Sequence, residues 1–140
     1  ASDVYKRQPA GDVIVAVTVQ PSEVFQRDEN NIYVVFPITY SQAVLGDTIT
    51  VPSIDGKVEV NVPEGTQSGT TFRLRGKGVK DLRSSEVGDM LVEVEVEIPT
   101  QLSKDQTDKL NAFASTLDEK RNQPACVAFA DKAARYLKNK

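Results

Sequence analysis

TITVPSIDGKVEVNV, residues 48–62, decides the fold. Residues 48–54 and 57–62 are rich in β-branched side chains, and Asp55-Gly56 between them accepts the positive φ angles of a type I′ turn, so the stretch is predicted as a β-hairpin. Its valines need a second sheet to pack on. Working outward, the flanking sequence supplies that sheet.

Upstream, IYVVFPITY runs from Ile32 to Tyr40, with Pro37 in mid-run marking an edge strand or a bulge because proline lacks a ladder N–H. SQAVLG, residues 41–46, reads as a single helical turn with Ser41 as its cap and Gly46 as its stop. Further upstream, DVIVAVTV (residues 12–19) sets Val13, Val15, Val17 and Val19 on one face as a strand. QRDENN between the two runs reads as a polar stretch.

Downstream, Pro63-Glu64-Gly65 makes a turn, and TTFRLR (residues 70–75) alternates again. A loop-like region follows to Ser85, and MLVEVEVEI (residues 90–98) points Val92, Val94, Val96 and Ile98 inward with Glu93, Glu95 and Glu97 outward. The expected fold is therefore mainly β: a small β-sandwich-like domain with one short internal helix. Beyond Pro99 the period changes. Ser103, Asp105 and Gln106 open a capped helix carrying the stripe Leu110, Phe113, Ala114 and Leu117, and residues 127–138 form a second amphipathic segment with Phe129, Ala133 and Tyr136. At about 12 residues that segment is marginal alone in water, so it needs something to dock on.

The 140 residues include no histidine, one cysteine and a net charge of −3. Without histidine there is no Ser-His or Cys-His nucleophile pair and no His-ligated zinc; Cys126 alone allows neither a thiolate cluster nor an internal disulfide. Scattered Lys and Arg leave no footprint for nucleic acid, and no apolar run is long enough to span a membrane. These features point to a soluble, cytoplasmic protein that is not an enzyme and uses no cofactor.

Local candidates for chemistry dissolve on inspection. GTTFRLRGKG (residues 69–78) lacks the G-x-x-x-x-G-K-[ST] spacing of a phosphate loop and reads as a strand end with a glycine turn. Asp28-Glu29-Asn30-Asn31 lacks calcium-loop spacing and reads as a polar turn. Glu93, Glu95 and Glu97 read as an exposed sheet face, and Cys126 as a small buried hydrophobe. What remains is surface. Val34, Phe36, Ile38 and Tyr40 share a strand face, and Ile49 and Val51 lie on the first hairpin arm. They read either as core or as the lining of a shallow apolar groove beside an open strand edge, which would capture extended peptide by β-augmentation.

The order of these motifs resembles the C-terminal region of DnaJ-type heat-shock co-chaperones. The resemblance rests on P-x-x-x-F-x-R-D-x-N-x-x-Y at residues 21–33, P-I-x-x-x-x-A-x-L-G at 37–46, the V-P-x-x-D-G-K hairpin, and P-E-G-T-Q-x-G followed by F-R-L-R-G-K-G. It covers residues 9–117, and FADKAARYLK more weakly resembles the last helix of the zinc-containing class. After a polar N-terminus that reads as a flexible leader (residues 1–10), it implies the last strand of a truncated first β-domain (11–20), a second C-terminal β-domain (21–100) and a helical dimerisation tail (101–140).

It also implies binding of unfolded polypeptide clients in a groove at Val34, Phe36, Ile49 and Val51, and homodimerisation through Leu110, Phe113, Leu117, Phe129 and Tyr136. The seventy-kilodalton heat-shock chaperone is the implied partner of the intact parent. The family's His-Pro-Asp tripeptide and its repeated C-x-x-C-x-G-x-G zinc motifs have no counterpart in a chain with no histidine and one cysteine. Two readings stay open: a client-binding module that does not itself stimulate an ATPase, and a purely structural dimerisation module.

Overall fold

The computed structural model describes residues 24–140. The leader and the strand expected over residues 12–19 lie outside the described residues. The remainder forms two compact units that divide between Pro99 and Thr100.

The first unit is mainly β. Its strands are β1 (Gln26–Asp28), β2 (Asn31–Thr39), β3 (Asp47–Ser53), β4 (Gly56–Val62), β5 (Thr71–Leu74) and β6 (Met90–Glu97), with helix α1 (Tyr40–Leu45) between β2 and β3. They build a four-stranded sheet in the order β1-β2-β6-β5 and a separate β3-β4 hairpin. β2 and β6 run parallel, while β1 and β5 pair antiparallel on either side of them.

Period-two alternation makes these sheets close on each other. Ile32, Val34, Ile38, Met90, Val92 and Val94 point in from the larger sheet, and Ile49, Val51, Val60 and Val62 point in from the hairpin, forming one buried cluster with Ala43 of α1. Each such aliphatic side chain contributes about 1.5–3 kcal/mol when fully buried. The two-layer sandwich expected from the alternation is what forms.

Several local expectations shift. The hairpin is present, but the register pairs Ser53 with Gly56, so the loop is Ile54-Asp55. Only Gly56, at φ 130, takes a positive φ there, since a β-branched isoleucine resists one. The cap of α1 is Thr39, not Ser41: Gln42 N–H donates to Thr39 Oγ1 at 3.1 Å while Thr39 N–H donates to Gln42 Oε1 at 2.9 Å. Only a cap at Thr39 has a glutamine three residues on to complete that box. Gly46 ends the helix at φ 82, where an added Cβ would lie 2.8 Å from the Glu64 nitrogen. The Pro-Glu-Gly turn then caps α1, with the Gly65 and Thr66 N–H groups donating to the Ala43 carbonyl at 2.8 and 3.0 Å.

The polar stretch QRDENN contains β1, paired with β2 through a turn at Glu29-Asn30 in which Glu29 has φ 55. The region before β6 is also more ordered than a loop. Lys80 bridges Val87, the Gly78 N–H donates to the Gly88 carbonyl at 2.8 Å, and the Gly88 N–H donates to the Val79 carbonyl at 2.9 Å.

The second unit contains α2 (Lys104–Ser115), α3 (Glu119–Asn122) and α4 (Pro124–Lys138). Ser103 and Gln106 form the expected capping box on α2. α3 is a short helix inside what reads as a polar spacer, and α4 starts at Pro124, three residues before the expected segment, because proline fits a first helical turn. No residue of these helices is buried.

Candidate functional site

The parallel β2-β6 ladder fixes which way each backbone group of β2 points. Ile32 N–H donates to the Asp89 carbonyl at 2.9 Å, so the alternate residues Val34, Phe36 and Ile38 also turn their N–H toward β6. Tyr33, Val35 and Pro37 face the other side. There β1 pairs only as far as Tyr33, leaving the N–H of Val35 and the carbonyls of Val35 and Pro37 on an edge with no strand among the described residues. Pro37 therefore costs the β2-β6 ladder no bond.

Phe36 stands beside this edge, half-buried and packed against the core. The other predicted groove residues lie deeper. Val34 is 5% exposed, Ile49 4% and Val51 0%, all within the sandwich cluster. The structure thus brings the four together as one apolar body, of which Phe36 is the member that reaches solvent. Tyr40 leaves the strand altogether and begins α1.

At the opposite edge the sheet is held by a polar clasp. Arg73 Nε donates to Asp89 Oδ2 at 2.6 Å, and the Gly76 N–H donates to Asp89 Oδ1 at 3.0 Å. The Gly76 N–H first, and the Arg73 guanidinium second, hold the Asp89 carboxyl below its usual value. Asp81 is held low as well, chiefly by the Arg83 N–H at 2.7 Å. Both carboxylates fix the segment between β5 and β6. That is structural work, in keeping with the reading of residues 69–78 as a strand end and turn.

In the helical unit, α2 turns a charged face outward through Lys104–Asp108 and Lys109–Asp105 pairs, each at 2.9 Å. Its apolar stripe is uncovered: Leu110 is 44% and Phe113 43% exposed, with Leu117 half-buried. On α4, Phe129 is 69% and Tyr136 61% exposed. Leu137, which shares that apolar arc, is 68% exposed. Cys126 is exposed rather than buried, because a helix with no covering layer buries nothing in its first turn.

Among the described residues no group of histidine, cysteine, aspartate or glutamate is arranged to hold a metal ion, and no helix is long and apolar enough to cross a membrane. Reading the residues for an inward stripe passed over the outward one. Tyr33 and Val35 alternate with Val34 and Phe36, and Val35 is 61% exposed. The period-two signal that placed their neighbours inside was sufficient to place them outside.

Comparison with known proteins adds an independent line. The family profile described as DnaJ C terminal domain matches residues 2–99. Proteins described as chaperone protein DnaJ from Listeria monocytogenes, of serotypes 4a and 4b, are each 48% identical over 130 residues, which is 93% of this chain. The chain spans 34% of the length of those relatives.

Proposed function

The chain belongs to the DnaJ C-terminal domain family, and from that premise we propose that it holds unfolded or extended client polypeptide as the C-terminal part of a co-chaperone. The observation that carries the proposal is the segment of β2 beyond Tyr33, which has no strand beside it among the described residues. An extended peptide laid there gains main-chain bonds from Val35 and Pro37 and apolar contact from Phe36, the β-augmentation mode. Val34, Ile49 and Val51 support the groove from beneath as its packed floor. Affinity is weak, because few bonds and one half-buried aromatic must offset the ordering of a flexible ligand.

The test is suppression of aggregation of a chemically denatured model protein. Phe36→Ser and, separately, Val35→Pro should each weaken it; the second removes only an outward N–H and spares the core. Full protection by both folded variants would sink the groove reading.

The exposed stripes of α2 and α4 support a second element of the proposal, homodimerisation through Leu110, Phe113, Leu117, Phe129 and Tyr136. With no buried residue in these helices, a partner copy is the cover that their apolar faces call for. Sedimentation of the full chain as a dimer, and of a chain ending at Pro99 as a monomer, is the expected result. A monomer in both cases removes this element; a dimer without client protection leaves a structural pairing module. Delivery of clients to a seventy-kilodalton heat-shock chaperone belongs, in this proposal, to the intact parent. With no histidine the chain has no His-Pro-Asp tripeptide with which to stimulate that partner.

A further inference from the structure

The tip of the β3-β4 hairpin consists of Ile54 and Asp55 and closes on Gly56. Asp55 and Gly56 are both exposed, and the Asp55 carboxyl makes no hydrogen bond or ion pair with any described residue. Gly56 stands at φ 130, with no atom within 4 Å of where a Cβ would lie. An aspartate carboxyl can bend back onto the nitrogen of the next residue and close a five-membered ring. What obstructs that approach is the side chain of the next residue, and glycine has none.

This conjunction occurs once. The 140 residues contain no other Asp-Gly and no Asn-Gly. Asp47 is the instructive contrast, because its Oδ1 accepts the N–H of the following Thr48 at 2.8 Å. There the nitrogen belongs to a β-branched residue inside β3, and the other carboxylate oxygen is held by Gln42 Nε2 at 3.1 Å. Asp55 has neither restraint.

We propose that Asp55-Gly56 is a modification site, where the chain closes a succinimide, opens to isoaspartate, and so becomes a substrate for a carboxyl methyltransferase of the isoaspartate-repairing class. In the first step the Gly56 nitrogen bonds to Asp55 Cγ, and the amide proton leaves with the carboxyl O–H as water. In the second, water adds back to the ring. Opening at Cγ restores aspartate; opening at the former main-chain carbonyl leaves a chain that runs through Cβ and Cγ, with the α-carboxylate exposed at the tip. The enzyme would move a methyl group from the sulfonium sulfur of S-adenosylmethionine to that carboxylate oxygen, releasing the thioether. Attack by the Gly56 nitrogen on the ester then expels methanol and regenerates the ring.

The position gives the reaction a structural consequence. Ser53 pairs with Gly56 and Pro52 with Lys57, and the same hairpin delivers Ile49, Val51, Val60 and Val62 to the core. Isoaspartate adds one methylene to the main chain between these strands. Since loop length fixes hairpin register, the added carbon disturbs the closing pair first and loosens the sheet that covers the core.

The test ages the full chain at neutral pH and physiological temperature, then supplies a purified isoaspartate-specific methyltransferase with a radiolabelled methyl donor. Electron-transfer fragmentation of the tryptic peptide spanning residues 28–57 locates the altered linkage. Methyl acceptance should grow with age and the linkage should lie at Asp55. Asp55→Glu, which would have to close a six-membered ring, should lose the signal while its circular dichroism stays that of the parent. Asp55→Asn, which expels ammonia in place of water, should gain it several-fold faster. The urea midpoint of the β unit should fall in the aged parent and not in aged Asp55→Glu. An aged folded chain that accepts no methyl, while the chain aged in urea does, overturns the proposal, because the turn then holds the Gly56 nitrogen away from Cγ. Acceptance that persists in Asp55→Glu overturns it too, since the altered residue is then elsewhere.

Discussion

Gly78 and Gly88 sit where no side chain fits. A Cβ at Gly88 would lie 1.9 Å from the Asn30 carbonyl oxygen, and one at Gly78 2.3 Å from the same atom. That oxygen accepts the Val79 N–H at 2.8 Å, so the backbone must pass this close. Gly88→Ala should cost about 1–3 kcal/mol by overpacking, read from the urea midpoint; an unchanged midpoint would show that the β1-β2 turn yields freely. Asp89 adds a pH signature to the same region. Its folded pKa lies below its unfolded one, so its contribution is present above the ordinary carboxylate range and is lost as pH falls through the folded value. Asp89→Asn should therefore destabilise at pH 7, and the gap to the parent should close as pH drops below about 4. A gap that stays constant with pH would mean that packing, not charge, is what the substitution removed.

At the scale of elements, what could be read from sequence follows from how strongly each element's pattern is set locally. β3, β4 and β6 were legible because an unbroken alternation leaves one buried face and no competing period. β1 was not, because its residues are all exposed and it exists only through its pairing with β2. The cap of α1 was misplaced by two residues because Ser41 and Thr39 are both acceptable acceptors, and only the reach of Gln42 decides between them. Thr39→Ala should accordingly cost about 1 kcal/mol, whereas Ser41→Ala should cost little; equal losses in thermal unfolding would put the cap back in doubt. The candidate site was half legible. Period two identified the stripe of Val34 and Phe36, but the depth to which each sinks depends on the opposing hairpin, and no signal within β2 itself encodes that.

At the scale of the whole molecule, the two units differ in what makes them stable. The β unit has its own interior, with Val51, Met90, Val92 and Val94 at 0% exposure. The helical unit has a capping box on α2, surface ion pairs and an uncovered apolar stripe; such helices draw most of their stability from tertiary packing rather than propensity. If a second copy supplies that packing, the helical unit's stability is linked to protein concentration, while that of the sandwich is not. Urea unfolding of the full chain should then show two transitions. The helical signal at 222 nm should be lost first, at a midpoint that rises with concentration by about 1.4 kcal/mol of stability per tenfold. The later transition, followed through the tyrosine environment of Tyr33, should stay fixed. A helical midpoint that does not move over a hundredfold range of concentration would mean that these helices are stable without a partner, and that their exposed phenylalanines serve some purpose other than pairing.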